Sequence, residues 1–132
     1  MSVFCDTSVL IRYFAEDDVP RAAAVARLID SGRELIVSTG VLLETLHVLR
    51  TQHGFTNPLI ADLFTTFLSH DRVSVSDAEK AGVLGALAWT RGVSARRVAD
   101  AIIVAAAERA GVEAIVTFDE AMSSPTVPIR LL

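Results

Sequence analysis

The sequence of 132 residues is short of cysteine, lysine and aromatic side chains: one Cys, one Lys and 6% aromatics. A lone Cys5 excludes an internal disulfide framework and fits a reducing compartment, which makes the cytoplasm the expected location. No uninterrupted apolar run reaches the roughly 20 residues a bilayer span needs. The longest weakly charged stretch, Val98 to Ala107, carries Asp100 inside it and reads as a buried helix rather than a membrane segment. The first residues lack the positively charged start of a secretory signal and meet an acid at Asp6. Basic charge is also scarce, and a net charge of −4 weighs against a generally phosphate-binding surface. No linker, internal repeat or low-complexity tract appears, so residues 1–132 are expected to form one domain.

What the chain has in quantity is apolar surface. Hydrophobic residues make up 52% and mean hydropathy is +0.46, high enough to suggest that one face is covered by a partner, with a homodimer as the simplest case. Eleven of the twelve basic residues are arginines, which suit phosphate contacts. Acids gathered around divalent cations would moreover make a loaded site cationic despite the negative total.

Ser2 to Asp6, Leu35 to Val37 and Ala114 to Phe118 are short, nearly continuous apolar runs, as expected of strands covered on both faces. Arg72 to Ser76 alternates strictly, and Pro128 to Leu131 alternates behind a proline, so both read as edge strands. Between them lie helix starts: Asp18 before Pro20, Thr56 and Asn57 before Pro58, and Ser76-Asp77-Ala78-Glu79 with a reciprocal capping pattern. Gly32, Gly54, Gly92 and Gly111 stand where helices should stop. The alternation predicts an α/β fold, a three-layer α/β/α sandwich around a mostly parallel sheet of about five strands in the order 3-2-1-4-5. That order sets a topological switch point between the carboxyl ends of the first and fourth strands, where Asp6 and Asp119 fall.

Two further acids stand in apolar company. Glu44 has Val41 and Val48 as helical neighbours, and Asp100 has Ile103 and Val104. An isolated carboxylate in such surroundings would cost several kcal/mol or take up a proton, so each needs an arginine, a cap or a cation. Two acids at a switch point and two on apolar helix faces are together most simply explained by convergence on one or two hard cations, which take oxygen ligands. Without a cation, the four acids are expected to repel one another.

Cys5-Asp6-Thr7-Ser8-Val9-Leu10-Ile11, Glu44, Val98-Ala99-Asp100-Ala101-Ile102-Ile103 and Val116-Thr117-Phe118-Asp119 occur in an order and spacing that resembles the PIN-domain nucleases, and within them the VapC-type toxins of toxin–antitoxin pairs. The resemblance spans the whole chain. It implies that Asp6, Glu44, Asp100 and Asp119 form an acidic cluster holding Mg2+ or Mn2+, with Ser8 and Thr117 orienting it through their hydroxyls. It also implies a metal-dependent endoribonuclease, the toxin of a pair, that cuts RNA to leave a 5′-phosphate and a 3′-hydroxyl and is blocked by a cognate antitoxin protein. The chain departs from the family pattern after its last acid, reading Asp119-Glu120-Ala121-Met122, so Glu120 stands as an alternative to Asp119.

Other chemistries fit less well. An aspartyl-phosphate phosphatase needs a second Asp two residues after the first, where this chain has Ser8. A cysteine phosphatase loop needs an arginine where Ile11 stands. Glu44-Thr45-Leu46-His47 has the spacing of a carboxylate-bridged iron bundle, but it occurs once, and His47, His53 and His70 share no ligand spacing. Two alternatives without catalysis are a receiver-like, magnesium-binding regulatory module and an inactive PIN-like scaffold that acts by protein–protein interaction. The only lysine, Lys80, lies beside a helix start and not near a late strand, which counts against the receiver. Arg96 and Arg97 stand where the dipole of the Asp100 helix disfavours positive charge, a placement that an acidic partner or a phosphate would offset. Phe14, Trp89 and Phe118 are expected mainly to pack in the core.

Overall fold

The computed structural model describes residues 2–132. Strand β1 (Ser2–Phe4) leads through α1 (Thr7–Ala15) and α2 (Val19–Asp30) to β2 (Glu34–Val37). Helices α3 (Thr39–Gln52) and α4 (Asn57–Leu68) then lead to β3 (Val73–Val75), followed by α5 (Lys80–Thr90), α6 (Val98–Ala110), β4 (Ile115–Thr117) and β5 (Ile129–Leu131).

The helix starts are chemically determined. Asp18 accepts from the Arg21 amide, Ser38 from Val41 and Thr56 from Leu59, each satisfying a donor that a helix end leaves free. Helix α6 stops at Gly111, whose φ of 69° is a left-handed conformation that a side chain disfavours. The capping pattern at Ser76 to Glu79 is not used as expected. Helix α5 begins at Lys80 behind Glu79, which makes no side-chain cap, and Asp77 instead reaches the start of α3, accepting from the Thr39 amide at 2.8 Å and hydroxyl at 2.6 Å.

Every strand pairing among the described residues is parallel, and two helices cross between β1 and β2 and again between β2 and β3. The expected single sheet does not form. Strands β1, β2 and β3 make one sheet in that order, β4 and β5 make a separate pair, and β1 has no hydrogen-bonded β4 beside it. The order 3-2-1-4-5 is therefore corrected at its central join. The physical reason lies in coverage. Only β2 is an interior strand with Leu35 and Val37 buried, whereas Phe4 of β1 is 58% exposed and Val116 of β4 is 55% exposed. A continuous apolar run does not say which long-range neighbour will cover it.

The core lies among the helices and beneath β2. Phe14 packs against Phe64 in a tilted contact and against Phe67 edge to face, at ring separations of 5.6 and 5.8 Å, in a core that also holds fully buried Leu10, Leu42, Leu49, Leu87 and Ile102. Helix α3 is packed by both α1 and α6, and α5 lies against α4 and α6. Lys80 is bound to the carbonyls of Val73 at 2.7 Å and His70 at 3.1 Å, so it anchors the β3 edge. Among the described residues, no helix is long and apolar enough to cross a membrane.

Candidate active site

The chain leaves β1 at Cys5, whose amide still bonds the Ile36 carbonyl at 2.8 Å, and turns into α1 at Asp6. Asp6 is the N-cap. Its Oδ1 accepts from the Ser8 hydroxyl at 2.6 Å, the Ser8 amide at 2.9 Å and the Val9 amide at 3.4 Å. These donors, the Ser8 hydroxyl foremost, hold the carboxyl below the ordinary aspartate range. They engage one oxygen only, so among the described residues Oδ2 takes no donor. Cys5 is buried, and desolvation, helped by the Asp6 charge, pushes its thiol up, which leaves it inert as a nucleophile.

Thr7, the next residue, donates its hydroxyl to Oε2 of Glu44 on α3 at 2.8 Å. This hydrogen bond joins the first two acidic segments, and sequence reasoning missed it: Thr7 sits between two residues already singled out, but nothing local says that its hydroxyl turns toward α3. Glu44 itself is exposed, which corrects its expected place on an apolar stripe. The buried face of α3 is carried by Thr39, Leu42, Thr45, Leu46 and Leu49, and Glu44 lies off it.

Asp100 is buried, with 6% of its surface exposed, among Val98, Ala101, Ile102 and Val104 on α6. Its charge is met by Arg97, whose Nε donates to Oδ2 at 3.1 Å. The same guanidinium extends Nη2 to Asp119 Oδ2 at 2.5 Å, and these two carboxylates raise the Arg97 pKa further, the Asp119 hydrogen bond contributing most. Asp119 also accepts from the Ala121 amide at 2.9 Å, and its own amide donates to the Thr117 hydroxyl at 3.0 Å. Arg97, then the Ala121 amide, draw the Asp119 pKa down. Asp119 is thus bound to the same guanidinium that holds Asp100.

The structure thus pairs the four acids two by two: Asp6 and Glu44 through neighbouring residues of α1, Asp100 and Asp119 through Arg97. Mutual repulsion within the second pair is already neutralised, contrary to the sequence expectation. The spacing of Arg97 three residues before Asp100 was the available signal, since that interval places both on one helical face. Among the described residues, no three His, Cys, Asp or Glu side chains stand close enough together to hold a metal ion.

The family model of the PIN domain matches residues 3–126, nearly the full length. The chain belongs to the PIN-domain family. No curated protein matches it. PIN domains are generally metal-dependent nucleases that act on RNA and typically use Mg2+ or Mn2+. The donor chemistry of this PIN domain fits such an ion. Its candidate ligands are all carboxylate oxygens, the hard donors these cations prefer, and Asp6 Oδ2, Glu44 Oε1 and Asp100 Oδ1 accept no hydrogen bond among the described residues. What stands between Asp100 and Asp119 is a single positive charge on Arg97.

Proposed function

We propose that this PIN domain is an endoribonuclease whose Mg2+ or Mn2+ site is held by Asp6, Glu44, Asp100 and Asp119, and that it serves as the toxin of a toxin–antitoxin pair. The observation that carries the reading is Asp100. Its carboxylate sits in an apolar helix face with Oδ2 on a guanidinium shared with Asp119, while Oδ1 takes no hydrogen bond among the described residues and is not sealed from solvent, so one oxygen is open to a ligand.

A divalent cation held by these carboxylates would lower the pKa of a water and offset the charge of the scissile phosphate. The chain's own residues do the rest. Asp6 is kept ionised by Ser8 and the helix start, so it presents a full negative charge at neutral pH. Thr7 fixes the Glu44 carboxylate against α1, leaving its second oxygen to accept a proton from an attacking water. Thr117 sets the loop that carries Asp119. Arg97, released from Asp100 and Asp119, would meet the phosphate anion, and in-line attack would leave a 5′-phosphate and a 3′-hydroxyl.

The toxin assignment and the two protein partners, an antitoxin and a second copy, draw on exposed apolar side chains. Phe4, Val116, Phe118 and Leu131 are 53 to 80% exposed around the strand ends that carry Asp6 and Asp119. An antitoxin covering them would also shield the acids. A second reading, an inactive PIN scaffold, draws on the Arg97 bridge, which satisfies two acids without metal.

One experiment separates the two. Wild type, Asp6→Asn and Asp100→Asn are incubated with end-labelled single-stranded RNA in Mn2+, with and without chelator. The nuclease predicts cleavage by wild type alone, abolished by chelator. Equal cleavage by all three, or none by any, ends the metal-nuclease reading.

A further inference from the structure

Helices α3 and α4 and the turn between α5 and α6 enclose an open groove of about 1190 Å³, larger than the roughly 300–1,000 Å³ of pockets that take compact small molecules. Its charge is opposite to that of the molecule. The whole chain carries −4, yet the groove is lined by Arg50, Arg91 and Arg96 against one carboxylate, Asp62. Leu43, Leu46 and Phe55 add apolar wall.

The three arginines are held differently. Arg96 is half-buried, with its guanidinium 4.7 Å from the centre of the Trp89 ring and an Nη1 bond to the Trp89 carbonyl at 2.9 Å, so it is fixed before any ligand arrives. Arg91 is tied to Asp62 at 2.7 Å. Arg50 is exposed and pairs with no acid among the described residues. None of the four acids lines the groove, but helix neighbours of Glu44 and Asp100 do. His47 lies one turn after Glu44 on α3 and Ala99 directly precedes Asp100 on α6, and both line it.

We propose that this groove binds single-stranded RNA, with Arg50 and Arg96 on successive phosphates and the bases against the apolar wall, and leads the strand to Glu44 and Asp100. The inference rests on the nuclease reading and adds the substrate path to it. Several guanidiniums in one groove favour a polyanion, and apolar walls favour unpaired bases over a duplex. A second copy docked by two-fold symmetry would set this positively charged patch against itself, which like charge opposes.

The test is fluorescence anisotropy of a short labelled single-stranded RNA in chelator, so that binding is read without turnover. Arg50→Ala should weaken binding about five- to tenfold, and Arg50→Ala/Arg96→Ala more, with a shallower dependence on salt for each arginine lost. Asp62→Asn should strengthen binding about two- to threefold, because it removes the opposing charge and frees Arg91. A gain of affinity cannot come from misfolding. Unchanged binding in Arg50→Ala and Asp62→Asn, or no binding by wild type, overturns the groove even if wild type cleaves RNA in Mn2+. A dimer that Arg50→Glu dissociates, with RNA affinity unchanged, overturns it in favour of a second copy. RNA held in an arginine-dependent way but never cleaved leaves the groove standing and removes the nuclease.

Discussion

Asp100 and Asp119 share one guanidinium, yet the ground beneath them differs. Asp100 belongs to a helix whose Val98, Ala101, Ile102 and Ala105 are part of the contiguous core, which runs from Cys5 to Ala105. Asp119 follows β4, in a segment where Val127 is the only buried apolar side chain after Ala105 and where Val112, Val116, Phe118, Leu131 and Leu132 are all exposed. Apart from chain continuity, the C-terminal segment is tied back through Arg97 to Asp119 and through the Thr126 hydroxyl to Glu108 at 2.7 Å. The difference teaches that one half of the site is positioned by packing and the other by charge. The first kind survives changes of ionic conditions, while the second responds to them.

The comparison breaks most visibly in the core. Phe64→Ala should cost about 3–5 kcal/mol in urea denaturation, because it empties a fully buried site, whereas Phe118→Ala should change stability by less than about 0.5 kcal/mol. A large loss in Phe118→Ala would mean that the C-terminal segment packs more firmly than its exposure indicates. Next in size is Arg97→Gln, expected to cost about 1–2 kcal/mol in chelator by stranding Asp100, with the loss recovered on adding Mn2+. Recovery would show that a cation takes over from the guanidinium. Gly111→Ala should cost about 1 kcal/mol by forcing a side chain into the left-handed turn between the two regions.

The dependence on acid sharpens the same contrast. Asp6 and Asp119 both have carboxyls lowered below the ordinary 3.8 in the folded chain. Their contribution to stability is therefore present above that value and is lost as pH falls through the lower, folded one. In a melting series, Asp119→Asn should flatten this acid-side loss. Because Arg97 is the chief cause of the Asp119 shift, salt should weaken the effect there more than at Asp6, whose donors are the neighbouring hydroxyl and amides.

Where the sequence could be read correctly, the determinants were local. Caps at Asp18 and Thr56 and the stop at Gly111 are each set by residues within a turn, and the buried α6 was plain from its apolar run. The burial of Asp100 followed from the same run. What could not be read depended on distant partners: whether β1 meets β4, and that Asp77 caps α3 instead of its own helix. Glu44 shows the middle case. Its apolar neighbours Val41 and Val48 are only half-buried, so the stripe was real but shallow, and the side chain one step around the helix escaped to Thr7. Arg97 was noticed for its unfavourable place at a helix start, and its compensation by two acids required knowing that the end of β4 comes to the same point.

Isothermal titration of Mn2+ into wild type, Asp100→Asn and Arg97→Gln tests most directly whether a divalent ion and the guanidinium compete for the same two carboxylates. Competition predicts that Asp100→Asn loses binding by at least about tenfold, as expected for removal of a charged ligand, while Arg97→Gln binds Mn2+ more tightly than wild type. Equal Mn2+ affinity in all three proteins would contradict it.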